Sequence, residues 1–92
     1  MKVVINKCYG GFGLSADALI RYNQLAGTNF IYDHEIEDRS DKNLVAVVEE
    51  MGAAASGAYG ELKVVEIPDG VEWGIEEYDG VEWISENHRI WS

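Results

Sequence analysis

The sequence predicts an α/β (α+β) fold, a small two-layer domain. Two helices cover one face of a mixed sheet of about four to five strands, and the chain closes in a C-terminal antiparallel hairpin. Three observations carry this expectation. The chain opens on a short, continuously apolar β-branched run, Val3-Val4-Ile5. Two later segments place apolar residues at helical spacing. From Glu61 onward, β-type runs are separated by the turn signals Pro68-Asp69-Gly70 and Asp79-Gly80.

Residues 2–8 read as the first strand, apolar on both sides as a buried strand is. Ser15 then caps a helix from Ala16 to about Ala26, with Asp17 in the first turn, where the helix dipole favours an acid. Gly27 follows as its C′ residue. Phe30-Ile31-Tyr32 has strand propensity and predicts a short second strand within 28–36. Ser40 or Asp41 caps a second helix with Leu44, Val45, Val47, Val48 and Met51 on its apolar face. Gly52 falls inside it, at a cost of about 1 kcal/mol relative to alanine, and Ala53-Ala54-Ala55 carries it to Gly57. Leu62–Ile67 is a strand. Val71, Trp73 and Ile75, then Val81, Trp83 and Ser85, alternate with their neighbours as two more, giving the order β-α-β-α-β-β-β.

Ninety-two residues make a single domain, 1–92, burying roughly 60–65% of its unfolded surface. The formal net charge of −10 opposes direct binding to nucleic acid, where lysine and arginine must neutralise phosphates, and opposes an anionic membrane surface. It permits a small anionic ligand at a local site, because carboxylates beyond about 8–10 Å are screened. It also permits an acidic surface that mimics nucleic acid. Cys8 is the only cysteine, so no internal disulfide forms. No run is apolar enough for a membrane span, and the start lacks the pattern of a signal peptide. A reducing cytoplasm is the expected location.

The stretch Asn6-Lys7-Cys8-Tyr9-Gly10-Gly11-Phe12-Gly13-Leu14-Ser15 leads from a strand through three glycines to a helix start. Such a bend can turn backbone N–H groups and a helix dipole toward an anion. Lys7 precedes the glycines, so this is not a Walker loop, and the spacing is not the dinucleotide fingerprint either. The plainer alternative is a tight turn whose glycines only supply positive φ. On the ligand reading, Gly10, Gly11 and Gly13 present N–H groups to phosphate, Asn6, Lys7 and Ser15 add hydrogen bonds, and Phe12 stacks on a base. The segment His88-Arg89-Ile90-Trp91 would complete the site. Arg89 offers a fork for phosphate, His88 a donor and Trp91 a stacking face. Against this, Arg89 could pair with a surface acid and Trp91 could close the core.

Cys8 could be a nucleophile beside Lys7, but nothing in the sequence brings His34 or His88 to it as a base, and a small core residue is the plainer reading. Glu72, Glu76, Glu77, Asp79, Glu82 and Glu86 could hold a metal or serve acid–base chemistry. Strand alternation scatters them over both faces, which favours a solvated acidic surface. Neither histidine has a metal-ligand partner at a recognised spacing. No catalytic residue, metal or cofactor is assigned.

The segment from Val4 to Ser15 resembles the opening of a widespread family of small bacteriophage proteins. Leu44-Val45 through Glu50, Val65–Asp69, Glu77–Gly80 and the ending Glu82-Trp83-Ile84-Ser85-Glu86-Asn87-His88-Arg89-Ile90-Trp91 are similar to it as well. The likeness spans nearly the whole chain. It departs at Gly74, where a larger polar residue is expected, and in the charge-poor run Gly52–Ala55. Small phage proteins with ligand pockets include sponges that sequester nucleotide signals of bacterial immunity. By that analogy the leading expectation is a phage-encoded binding protein in the host cytoplasm. It would hold a small phosphate-containing nucleotide, such as a cyclic ADP-ribose isomer or cyclic dinucleotide, and form a homodimer or higher oligomer to enclose it. The rivals are an acidic interaction or nucleic-acid-mimic protein that inhibits a host protein, and a small cyclic-nucleotide hydrolase.

Overall fold

The computed structural model of the chain describes residues 1–8, 11–57 and 60–86. It is an α+β fold with strand β1 (Lys2–Asn6), helix α1 (Ala16–Ala26), helix α2 (Lys42–Met51) and strands β2 (Leu62–Glu66), β3 (Trp73–Tyr78) and β4 (Val81–Glu86). The expected single mixed sheet is not what forms among the described residues. Two separate two-stranded sheets are present, β1 with β2 and β3 with β4, both antiparallel.

β1 is the pivot of the packing. Its alternation sends Val4 toward the helices, where it joins Ala18, Tyr22, Leu44, Val47 and Val48 with Leu62 and Val64 at the margin. Val3 and Ile5 point the other way and pack with Ile67 against Trp73, Ile75 and Ile84 of the hairpin. The helices and the hairpin therefore cover opposite faces of β1–β2, and the expected two layers become three. A strand buried on both faces has no polar side to show, which explains the unbroken Val3-Val4-Ile5 run. Val3, Val4, Leu44 and Val47 are fully buried, each contributing about 1.5–3 kcal/mol of transfer free energy.

α1 has the predicted bounds. The Ser15 side chain accepts from the Ala18 N–H, and Gly27 closes the helix with φ 71°. α2 is capped by Asp41, whose carboxylate accepts from the Asn43 and Leu44 N–H groups. It ends sooner than expected. Gly52 stands at φ 60° and ψ −131°, a conformation reserved for glycine, so it stops the helix instead of weakening its interior. A 3-10 turn, Gly52–Ala55, follows.

The expected strand within 28–36 does not form. Side chains claim its backbone instead: Asn23 accepts from the Phe30 N–H and donates to the Phe30 carbonyl, and Glu35 accepts from the N–H groups of Ile31 and Tyr32. A 3-10 turn, Asp33–Glu35, completes the segment.

Candidate functional site

The glycine bend begins where β1 ends, at Asn6, and Asn6 is wholly buried. Its side-chain amide donates to the carbonyls of Cys8 and Gly80 at 2.6 and 2.7 Å, and its Oδ1 accepts from the Glu61 N–H at 2.8 Å. The Asn6 N–H donates to Glu82 Oε1 at 2.8 Å. Asn6 therefore ties the bend to β2 and to the hairpin, with both side-chain amide hydrogens and one lone pair of Oδ1 committed inside the protein.

Much of the bend is committed internally in the same way. The Gly11 N–H donates to the Cys8 carbonyl at 3.3 Å, and Gly11 holds φ 86°. The Gly13 carbonyl accepts from the Gly57 N–H, and the Ser15 N–H donates to the Ala55 carbonyl, each at 2.9 Å. Ser15 Oγ donates to the Ala54 carbonyl at 2.7 Å while it caps α1, so Ser15 serves as the predicted cap and not as a free donor. Gly60 sits so close that a Cβ there would lie 3.2 Å from the Gly11 carbonyl oxygen. Phe12 is also engaged, because the Arg39 guanidinium carbon lies 3.6 Å from its ring centroid. Lys7 is exposed and forms no ion pair among the described residues, and the N–H groups of Phe12 and Gly13 donate to none of them. Gly10, His88, Arg89 and Trp91 lie outside the described residues.

The anion at this bend is one of the protein's own. Asp33 Oδ2 accepts from the Leu14 N–H at 3.0 Å, at the very entrance to α1. Asp33 also lines a groove of about 460 Å³ between α1 and the 30–33 segment, with Ser15 and Asn23 as further polar groups and Leu19, Ile20, Phe30, Ile31 and Tyr32 as its apolar lining. A second recess adjoins it through Ile20 and Asn23 and runs to Gly27 and Asn29, so the groove follows α1 from end to end. Ile31 is 76% exposed and Tyr32 61% exposed at its rim. Tyr32 stacks on His34 at 5.3 Å between ring centroids. Glu35 braces this rim, and the Tyr32 and Ile31 N–H groups hold its carboxyl below the usual carboxylate range.

Cys8 is half-buried, and His34 is stacked on Tyr32. Among the described residues no group of three His, Cys, Asp or Glu side chains could hold a metal ion. No described helix is long and apolar enough to cross a membrane. Glu72, Glu76, Glu77 and Asp79 are exposed, whereas Glu82 is only 6% exposed. Sequence reasoning missed Asp33, Asn23 and the Ile31–Tyr32 rim. The available signal was Glu35 three residues after Tyr32, the spacing of a capping box. No protein-family model, no curated protein and no solved structure matches this chain.

Proposed function

We propose that the chain is an acidic interaction protein that docks a basic, apolar segment of a partner protein along α1. The observation that carries this reading is Asp33. A carboxylate already occupies the Leu14 amide and lines the mouth of an apolar groove, so the site favours a guest with a cationic head and an apolar body over a guest bearing phosphates. The formal charge of −10 steers the same class of partner. On the bacteriophage resemblance, the partner is a host protein, and an acidic surface would compete with its natural polyanion.

Exposed Lys7, and the Phe12 and Gly13 N–H groups that donate to no described residue, support a second reading, the nucleotide sponge. Arg89 would then supply the remaining grip on phosphate.

One titration separates the two. An amphipathic Leu/Arg peptide is added to the ¹⁵N-labelled protein, and a cyclic dinucleotide or cyclic ADP-ribose isomer is added to a second sample. The docking reading expects the peptide to move the amides of Leu19, Ile20, Asn23 and Ile31. Binding should fall with salt and weaken about tenfold in Tyr32→Ser. Shifts confined to Lys7 and Gly11–Gly13 with the nucleotide, and its release intact on heat denaturation, support the sponge. A chemically altered nucleotide means a hydrolase. A groove that stays silent to the peptide overturns the docking reading.

A further inference from the structure

The register of the hairpin separates its two faces. Trp73, Ile75 and Ile84 are spent on the core beneath. The opposite face carries Gly74, Glu76 and Tyr78 from β3 and Val81, Trp83 and Ser85 from β4, with Glu76 directly across from Trp83. Trp83 is 42% exposed and Tyr78 is 74% exposed. The indole is thus not needed to close the core, which has Trp73 for that purpose. A Cβ added at Gly74 would meet nothing within 4 Å, so the floor on that side of Trp83 is open. The Glu76 carboxylate makes no hydrogen bond or ion pair with any described residue. No lysine or arginine occurs from 73 to 86.

We infer that this outer face is a second binding site, a cradle for an arginine side chain presented by a basic protein. Directly opposed residues on one face of an antiparallel pair have Cβ atoms about 4.5–5.5 Å apart, so one guanidinium can lie on the Trp83 indole and turn its N–H fork toward Glu76. A planar guanidinium stacks on an aromatic face and keeps its donors free for a carboxylate, which a lysine ammonium does less well. The surrounding charge argues against the other occupants. A second copy of the chain would set acid against acid, and a nucleotide base stacking on Trp83 would bring its phosphates to Glu76. The inference is independent of the α1 groove, which lies on different elements.

The test is a tetra-arginine amide peptide titrated at low ionic strength into ¹⁵N-labelled protein, with tetra-lysine and tetra-glutamate for comparison. The Trp83 indole N–H is assigned through Trp83→Phe. Tetra-arginine is expected to move that signal and the amides of Gly74–Tyr78 more strongly than tetra-lysine, and tetra-glutamate is expected to leave them in place. Glu76→Gln, an exposed substitution, should weaken the effect about two- to fivefold. Tyr32→Ser, which damages only the α1 groove, should leave it unchanged. An unmoved Trp83 indole, a shift insensitive to Glu76→Gln, or an equal response to lysine would each overturn the inference.

Discussion

Arg39 grips Glu82 with both arms of its guanidinium, Nη1 at 2.7 Å from Oε1 and Nη2 at 2.9 Å from Oε2. The same guanidinium lies over Phe12, and the Arg39 carbonyl accepts from the Val4 N–H at 2.9 Å. One residue thereby joins the glycine bend, the edge of β1 that faces away from β2, and the hairpin. Bidentate geometry and low exposure make this pair very different from the surface bridge of Lys2 with Glu49.

Removing one partner should be costly and removing both much less so. Glu82→Ala leaves a half-buried guanidinium and the Asn6 N–H unpaired, and is expected to lower stability by about 3–5 kcal/mol. The double variant Arg39→Met/Glu82→Leu should recover a large part of that. Urea unfolding of the three proteins measures both, and equal losses in single and double variants would contradict the pairing.

Asn6 is predicted to act on stability and not on ligand affinity. Asn6→Ala abandons the Glu61 N–H and two carbonyls, at about 1–3 kcal/mol for each buried group left unmatched. Asn6→Asp should be worse, because a carboxylate would face the Cys8 and Gly80 carbonyls with no hydrogen to donate. Thermal melts that rank Asp above Ala would refute this.

Tyr22 donates to Asp41 Oδ2 at 2.6 Å, linking α1 to the cap of α2. Burial, with the Asp41 hydrogen bond and its charge, pushes the phenol from its ordinary 10 up to about 12. Between those values the folded state keeps a proton that the unfolded chain releases. The stabilisation is therefore complete below pH 10 and is lost as pH rises through 12. Melts from pH 9 to 12 should show this fall, and Tyr22→Phe should flatten it while costing about 1 kcal/mol at neutral pH.

Acid should loosen the groove rim locally. The Glu35 carboxylate is held below its ordinary 4.5 by the Tyr32 and Ile31 N–H groups. Its contribution is present above that value and lost as pH falls through the lowered one. Amide exchange of Ile31 and Tyr32, corrected for intrinsic rates, is expected to rise on acidification. Glu35→Gln should weaken that dependence, and protection independent of pH in the parent protein would refute it.

What the sequence revealed and what it hid follow from how local each cause is. α1 was legible because Ser15, the apolar spacing and Gly27 all act within one helix. β1 was legible because burial on both faces leaves a continuous apolar run. The 28–36 segment misled because its strand-like residues lose their backbone groups to Asn23 and Glu35, side chains whose reach composition does not disclose. Glu82 reads as one surface acid among many, and only Arg39, 43 positions away, makes it an interior one. The glycine bend was found, but Asn6 and Ser15 beside it turned out to hold the fold together. Gly11→Val is for the same reason a poor probe of phosphate binding, since φ 86° strains any β-branched residue; Lys7→Ala is the cleaner choice.

The bond from the Asn6 N–H to Glu82 spans 76 positions. A ribosome making this protein completes the first strand long before Glu82, so the Asn6 end of one edge lacks its partner until the hairpin has left the exit tunnel. Synthesis thus passes through a sticky interval, in which a sheet edge and an apolar run wait together in open water. Slow translation should lengthen that interval and favour aggregation, whereas chaperone binding near the first strand should protect the nascent chain.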